Sequence, residues 1–232
     1  MNESLQNAFP GHAGAGSLAL QRNKVLRNTY WLLALSLVPT VIGAWIGVST
    51  GLVAQMGVGM SAIVFLGGAF AFMFAIEKTK NSSAGVMVLL AFTFFMGLML
   101  SRILAAVLGF SNGASLIMYA FGGTAAVFFA MASLASVIKR DLSNMGKFLF
   151  VGAIMLLVVG IVNIFVQSSA LMMTLAFLAI GVFSAFMLYD VKRVIDGGET
   201  NYISATLAIY LDIYNVFQSL LALLGIFGGE RE

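Results

Sequence analysis

Two acidic residues lie in long apolar stretches of the chain, where an ionised side chain is costly. Asp190 ends one apolar run, and Asp212 lies within the next, followed by Asn215 and Ser219 at positions i+3 and i+7. On a helix these last three polar side chains share one face. A charged side chain at the centre of a membrane costs at least about 2.5–3.5 kcal/mol, so such residues usually face a protein interior or a water-filled cavity. Asp190 and Asp212 are therefore the first candidates for chemistry.

The spacing lets the two carboxyl groups meet on neighbouring helices. At about 1.5 Å per residue, Asp190 lies about 8 Å from the end of its helix if that helix continues to Ile195, and Asp212 lies about 12 Å from the start of the next. The connector 196–201 is short, which makes these helices antiparallel neighbours. Two carboxylates in contact cannot both ionise cheaply, so they would share a proton and titrate as a pair. The pattern predicts a pH-sensing pair.

Two plainer interpretations stay open for these acids. Asp190 could pair with Arg193, three residues further along the same helix. Asp212 could hydrogen-bond to a hydroxyl group of a neighbouring helix. A third charge, Arg102, lies about 27 Å past the start of its apolar run, so we expect its side chain to extend toward the lipid headgroups.

The composition excludes most other chemistry. Of the 232 residues, 61% are apolar and 9% are charged, whereas soluble domains have about 45–50% and about 25%. One His and no Cys exclude a Cys/His zinc site, an iron–sulfur cluster and a cysteine nucleophile. We expect a protein of the lipid bilayer that is not an enzyme and has no catalytic residue, metal or cofactor.

Seven apolar runs are long enough to cross a membrane, since one crossing takes about 20 residues. The runs are Tyr30–Val48, Val53–Ile76, Ala84–Leu108, Leu116–Ile138, Phe148–Phe165, Leu171–Tyr189 with Ile195 as an alternative end, and Ala205–Phe227. We predict an all-α integral membrane bundle of seven transmembrane helices over residues 24–232. Residues 1–23 are polar and small, and we expect a flexible cytoplasmic tail there.

The basic residues predict how the chain is oriented. Ten of the twelve Lys and Arg residues fall in the tail or in alternate connectors, all on one side of the bundle. By the positive-inside rule that side is cytoplasmic. The N-terminus is then cytoplasmic and, with seven spans, the C-terminus lies outside. Topology accounts for these charges, so they do not indicate binding to nucleic acid.

Several motifs resemble the Bax inhibitor family of seven-span membrane proteins. The most specific are LYD at residues 188–190 and AIYLDIYNVF at 208–217. The stretches NKVLRNTY at 23–30 and GGETNYI at 197–203 resemble, more narrowly, the bacterial YccA branch of the family. The likeness extends over nearly the whole chain from Asn23.

The resemblance implies a fold, a site and a partner. It implies a bundle whose last helix lies inside the other six, and a di-aspartyl pair at Asp190 and Asp212. In some family members such a pair is thought to sense pH and gate a slow calcium leak. In the YccA branch the implied role is to associate with the FtsH protease complex of the bacterial inner membrane and to modulate it, with the cytoplasmic tail as a contact.

The chain departs from leak-type members in one informative way. Those members carry an acid in the second span that helps to form an ion path, whereas Val53–Ile76 contains none. Arg102 also stands where relatives tend to have Gly-Pro. We therefore favour a regulatory partner of FtsH, with a pH-sensitive calcium or cation leak as the alternative.

Overall fold

Helices account for all the regular structure of the described chain. The computed structural model describes residues 10–230, with side chains described from residue 20 onward. Over that range it has eight helices and no strand. The helices are α1 Pro10–Thr50, α2 Leu52–Gln55, α3 Gly57–Thr79, α4 Ser83–Leu108, α5 Gly113–Val137, α6 Ser143–Val166, α7 Ser169–Asp196 and α8 Tyr202–Gly228. The predicted all-α fold is confirmed.

Seven of these helices are long and apolar enough to cross a membrane. They are α1 and α3 to α8, and each contains an 18-residue window with a mean hydropathy of at least 1.2. Within the described range this confirms the predicted number of spans. The chain is a multi-pass membrane protein.

The remaining helix, α2, is a short turn between the first two spans. Gly51 and Gly57 bound it with φ of 66° and 71°, a region that glycine adopts without strain. The second span is predicted to start at Val53, but the structure places Val53 in α2 and starts α3 at Gly57. Val53 is only 1% exposed. The predicted start is therefore wrong. Val53 is apolar because it is buried in the short turn, and its hydropathy cannot be told from that of a residue in a span.

The first helix begins far ahead of the first apolar run. It starts at Pro10 and continues for 41 residues, so the backbone is helical in the described part of the predicted tail. Proline suits the first helical position because its missing N–H would have no helical partner there. Ala, Leu, Gln and Arg, which favour helix, then continue the backbone into the span. Residues 1–9 lie outside the described residues.

Helices α1 and α4 approach each other closely at glycines. A Cβ added to Gly43 would collide with the Phe94 carbonyl oxygen, and one added to Gly97 would collide with the Thr40 carbonyl oxygen. Small residues allow such backbone approach in membranes, where packing rather than water exclusion drives helix association. The two helices form a tightly packed frame that α3, α5, α7 and α8 contact.

The last helix packs against most of the others. Helix α8 contacts α1, α3, α4, α5 and α7, and its buried side chains include Ile209, Tyr210 and Leu221. Helix α6 lies at the periphery, since none of its residues is buried, and it packs mainly on α7. A polar group on α8 is therefore surrounded by protein on several sides.

The connectors divide into two sets at opposite ends of the bundle. We call the end that carries the α3–α4, α5–α6 and α7–α8 connectors the basic end, because Lys80, Lys139 and Arg140 lie in its connectors and Arg193 lies beside them. The other end carries the α4–α5 connector and residues 229–230. There the Asn112 side chain donates to the Gly228 carbonyl at 2.6 Å.

Candidate functional site

The end of α7 and the start of α8 are defined by two caps at the basic end. Helix α7 continues to Asp196, close to the longer of its two predicted ends, and Gly197 terminates it with φ of 81°. Asn201 caps α8, because its side-chain oxygen accepts hydrogen bonds from two backbone N–H groups of the first turn at 2.9 and 3.1 Å. The connector between the two caps is thus short and ordered.

The connector is also attached to the neighbouring loop. Asn201 Nδ2 donates to the Lys80 carbonyl and to Asn81 Oδ1, both at 3.0 Å. The Asn201 backbone N–H donates to Glu199 Oε1 at 2.8 Å. These bonds hold the start of α8 at one depth, and the helix then carries Asp212 into the bundle at a set distance from the basic end.

The side chains of Asp190 and Asp212 lie close enough to act on each other. Asp212 is 4% exposed, whereas Asp190 is partly exposed. A hydrogen bond between two carboxyl groups requires a proton on one of them, since an ionised carboxylate only accepts. The arrangement therefore allows the two carboxyl groups to share a proton.

Asp212 has no other hydrogen-bond partner among the described residues. Its Oδ2 atom is buried without a donor, and Asp190 is the ionisable group that acts on it. A buried charge without a donor or counter-ion is very costly. The alternative interpretation required a hydroxyl group of a neighbouring helix to donate to Asp212, and none of the described residues supplies one.

A small cavity lies next to Asp190 at the basic end. It has a volume of about 170 Å³, and its walls are formed by Asp190, Arg193, Val194, Glu199, Ser204, Ala205 and Ala208. Arg193 forms an ion pair with Glu199 at 3.6 Å. The alternative pairing of Arg193 with Asp190 is not among the ion pairs of the described residues, although Arg193 still acts on Asp190 electrostatically. Asp190 thus borders both the buried acid and a polar cavity.

Comparison with known proteins places the chain in a family. The model of the family described as "Inhibitor of apoptosis-promoting Bax1" matches residues 22–229. The chain belongs to the Bax inhibitor family. Family membership, which the motifs around Asp190 and Asp212 indicated, is therefore confirmed.

Several bacterial members of the Bax inhibitor family are similar over almost their whole length. An "Uncharacterized membrane protein" of Vibrio cholerae is 40% identical over 211 residues, covering 89% of this chain and 91% of the relative. The "Modulator of FtsH protease YccA" of Escherichia coli K12 is 38% identical over 206 residues, again covering 89% and 91%. The "Inner membrane protein YccA" of a second E. coli strain, O6:H1, matches to the same extent.

Two further predicted site residues lie on α8 beyond the pair. Asn215 and Ser219 are both partly buried. The Asn215 side chain donates to the Leu211 carbonyl at 2.7 Å, one turn earlier on its own helix. The structure therefore places Asn215 beside the pair without bringing its amide to Asp212.

The residues that complete the site lie in the connector and in the first turn of α8, and they were not singled out from the sequence. Glu199 binds Arg193 and the Asn201 N–H, and Ser204 lines the cavity. An acid after a Gly-Gly pair gives no sign of its partner, because that partner is set by how Gly197 turns the chain. The Asn201 cap could have been found as an Asn before an apolar run.

A buried hydroxyl contact joins α8 to the α1–α4 frame. Tyr210 is 2% exposed, and its hydroxyl lies 2.8 Å from Thr40 Oγ1 and 3.5 Å from the Thr93 carbonyl oxygen. Thr40 Oγ1 also donates to the Ser36 carbonyl at 2.8 Å. In this Bax inhibitor family member the last helix is thus attached on one face to the frame and on another to α7.

Arg102 is partly buried and hydrogen-bonded to neighbouring elements near the opposite end. Its NH1 group donates to Ser61 Oγ at 3.2 Å and to the Val53 carbonyl at 3.5 Å. The expected extension toward headgroups is therefore corrected: the guanidinium group joins α4 to α2 and α3. Among the described residues, no cluster of three or more His, Asp or Glu side chains could hold a metal ion.

Proposed function

We propose that this protein is a regulatory partner of an FtsH-type membrane protease, which it binds and modulates without catalysing a reaction itself. The observation that carries the proposal is the 38% identity to a protein named a modulator of FtsH protease, over 91% of that protein. A match of this extent leaves no additional domain in that relative to account for its activity.

The first helix provides a suitable contact for such a partner. Its 41 residues measure about 60 Å at about 1.5 Å per residue, roughly twice the hydrocarbon thickness of a bilayer. Since α1 ends at Thr50 at the opposite end of the bundle, the excess length extends beyond the membrane at the basic end. A helical arm of this kind can reach the soluble part of a membrane protease.

The proposed location is the bacterial inner membrane, with the basic end in the cytoplasm. Basic residues of the connectors and of α1 gather there, including Arg22, Lys24 and Arg27, which agrees with the positive-inside rule. The N-terminus is then cytoplasmic and the C-terminus lies outside. The arm and the cavity beside Asp190 face the same compartment.

Deletion of residues 1–22 tests the role of the arm. We expect the deletion to abolish capture of FtsH by the tagged protein from detergent extracts, and to abolish its effect on degradation of a membrane substrate. A variant with Lys139→Ala and Arg140→Ala, which alters another connector at the same end, serves as the matched control and should retain both. Capture by the deleted protein at the wild-type level would overturn the proposal.

The role proposed for Asp190 and Asp212 is to sense pH through a shared proton. Asp212→Asn keeps a side chain of the same shape that is neutral at every pH. We expect this variant still to capture FtsH, because the pair does not itself contact the partner, but to lose any dependence of proteolytic control on pH. Asn215 and Ser219 are proposed to support the pair from the next turns of α8.

A slow calcium or cation leak is the second candidate, favoured by the polar cavity of about 170 Å³ beside Asp190. A cation that passed the pair would then meet Arg102, a positive charge held in the other half of the bundle, which opposes its passage. Calcium flux into proteoliposomes tests this candidate. Flux that depends on pH, and loses that dependence in Asp212→Asn, would support it; flux no greater than in empty vesicles would exclude it.

A further inference from the structure

The basic-end part of α1 packs directly on the two helices that carry the carboxyl pair. Val25 of α1, Val194 of α7 and Ala205 of α8 form one buried cluster, covered by Leu26 and Tyr202. Three helices that are separate in sequence thus meet at a single apolar contact. This contact persists only while the end of α7 and the start of α8 stay together.

Two polar contacts lie on either side of this apolar cluster. The Thr206 hydroxyl group, on α8, lies 3.3 Å from the Thr29 carbonyl oxygen of α1. The Arg22 side chain covers Gly197 so closely that a Cβ added to this glycine would lie 2.5 Å from Arg22 Nε. The cap that ends α7 is therefore in contact with the arm of α1.

The same cluster forms a wall of the cavity beside the pair. Val194 and Ala205 line that cavity together with Asp190, and their other surfaces meet Val25. A change in the distance between α7 and α8 at Val194 and Ala205 would therefore alter both the cavity and the surface on which α1 packs. No intervening element separates the two.

From this shared wall we infer that the position of the α1 arm is coupled to the proton on the Asp190–Asp212 pair. With one shared proton the carboxyl groups attract each other and hold the ends of α7 and α8 together. With both groups ionised they repel each other, and Val194 moves away from Ala205. Val25 then loses its packing contact with these two residues. The inference rests on the proposed function in two respects: it takes the pair as a pH sensor and the arm as the contact for the partner.

The charged groups around the pair allow this coupling. Arg193 of α7 and Glu199 of the connector act on Asp190, and Asp190 acts on Asp212. The described residues of the other helices contribute no further ionisable group to the pair. Arg193 is paired with Glu199 and also attracts Asp190, so when both members of the pair are ionised this one cation faces three carboxylates.

Distance measurements between spin labels test the coupling in the isolated protein. The chain has no cysteine, so Lys24→Cys on the arm and Thr200→Cys in the connector can be labelled alone in full-length protein in lipid nanodiscs. We expect the distance distribution to lengthen and broaden between pH 5 and pH 8. Couplings between sites are typically about five-fold or more, so we expect the ratio of packed to released arm to fall by at least that factor.

The carboxyl variants and a second label pair serve as controls. With Asp190→Asn and Asp212→Asn combined, or with Asp212→Asn alone, the arm should stay packed at both pH values. A label pair at Ser82→Cys and Thr200→Cys, across the loops joined by Asn201, should give one distance throughout.

Two outcomes would overturn the coupling: an unchanged Lys24–Thr200 distance in the wild type, or a pH-dependent change that persists in the double Asn variant. Because no protease is present, either result is independent of the capture experiment. A failure to capture FtsH would refute the proposed function while leaving the coupling in place.

Discussion

At the scale of single residues, most buried polar groups in the spans are satisfied within their own helix. Thr29, Thr124 and Thr206 each donate to the carbonyl of the residue four positions earlier. Such local bonds suit a bilayer, where water offers no alternative partner. Asp212 differs because the group that acts on it, Asp190, lies on another helix and is itself ionisable. That difference distinguishes the candidate site from ordinary polar residues of the bundle.

The Tyr210 hydroxyl should contribute measurably to stability. Tyr210→Phe removes its contacts with Thr40 and Thr93 while keeping the ring, and we expect a loss of about 0.5–1.5 kcal/mol in the free energy of unfolding. Unfolding by denaturing detergent measures the change. The matched control is Tyr214→Phe, because the Tyr214 hydroxyl has no hydrogen bond among the described residues. Equal losses in the two variants would contradict the assignment.

Asp141, in the connector before α6, should show a pH effect that is purely local. Hydrogen bonds from the hydroxyl group and then the backbone N–H of Ser143 lower the pKa of the Asp141 carboxyl below its ordinary value of 3.8. A lowered pKa stabilises the folded state above the ordinary value, and this contribution is lost as pH falls through the lowered one. We expect protection of the Ser143 amide from hydrogen exchange to decline in that acidic range. Asp141→Asn, which keeps an acceptor oxygen, should remove the pH dependence of this protection.

At the scale of helices, the α1–α4 contact should be the least tolerant of added volume. Gly97→Ala places a methyl group against the Thr40 carbonyl, and we expect it to cost about 1–3 kcal/mol. Gly67→Ala is the control, because a Cβ there has nothing within 4 Å. Thermal unfolding in detergent compares the two variants. If Gly67→Ala proved as harmful as Gly97→Ala, helix propensity or lipid contact rather than close packing would explain the effect.

The number and order of the spans could be predicted from sequence, whereas some element ends could not. Long apolar runs specify helices because a bilayer requires the backbone to satisfy itself. The start of α3 depends on the left-handed backbone of Gly51 and Gly57, which hydropathy does not record. The direction of the Arg102 side chain likewise depends on Ser61 and Val53, which come into reach only when α2 and α3 are in place.

The proximity of Asp190 and Asp212 could be anticipated from helical rise and a short connector, since both quantities are local. The cavity could not. Its walls combine residues of α7, the connector and α8, and the side chains that cover them from behind come from α1. Val25 carries no signal of this role in the sequence, because an apolar residue near a span is expected whatever it contacts.

At the scale of the whole molecule, α8 is held at both ends. Asn201 attaches its start to the α3–α4 loop, and Asn112 holds its end by donating to Gly228 and accepting from the Glu230 N–H at 3.2 Å. A helix held in this way cannot easily slide along its axis. Repulsion at the carboxyl pair should therefore move the end of α7 rather than α8, which directs the motion toward the α1 arm.

The orientation of the bundle in the membrane can be tested with single cysteines. The chain lacks cysteine, so single cysteines report which side of the membrane each connector occupies. We expect a water-soluble maleimide added to intact spheroplasts to label Ala170→Cys, at the end opposite to the basic end, and to label Lys139→Cys only after the membrane is permeabilised. The reason is the free-energy cost of moving a basic connector across the membrane during insertion. The reverse pattern would place the arm and the cavity outside the cell, where the soluble part of a cytoplasmic protease could not reach them.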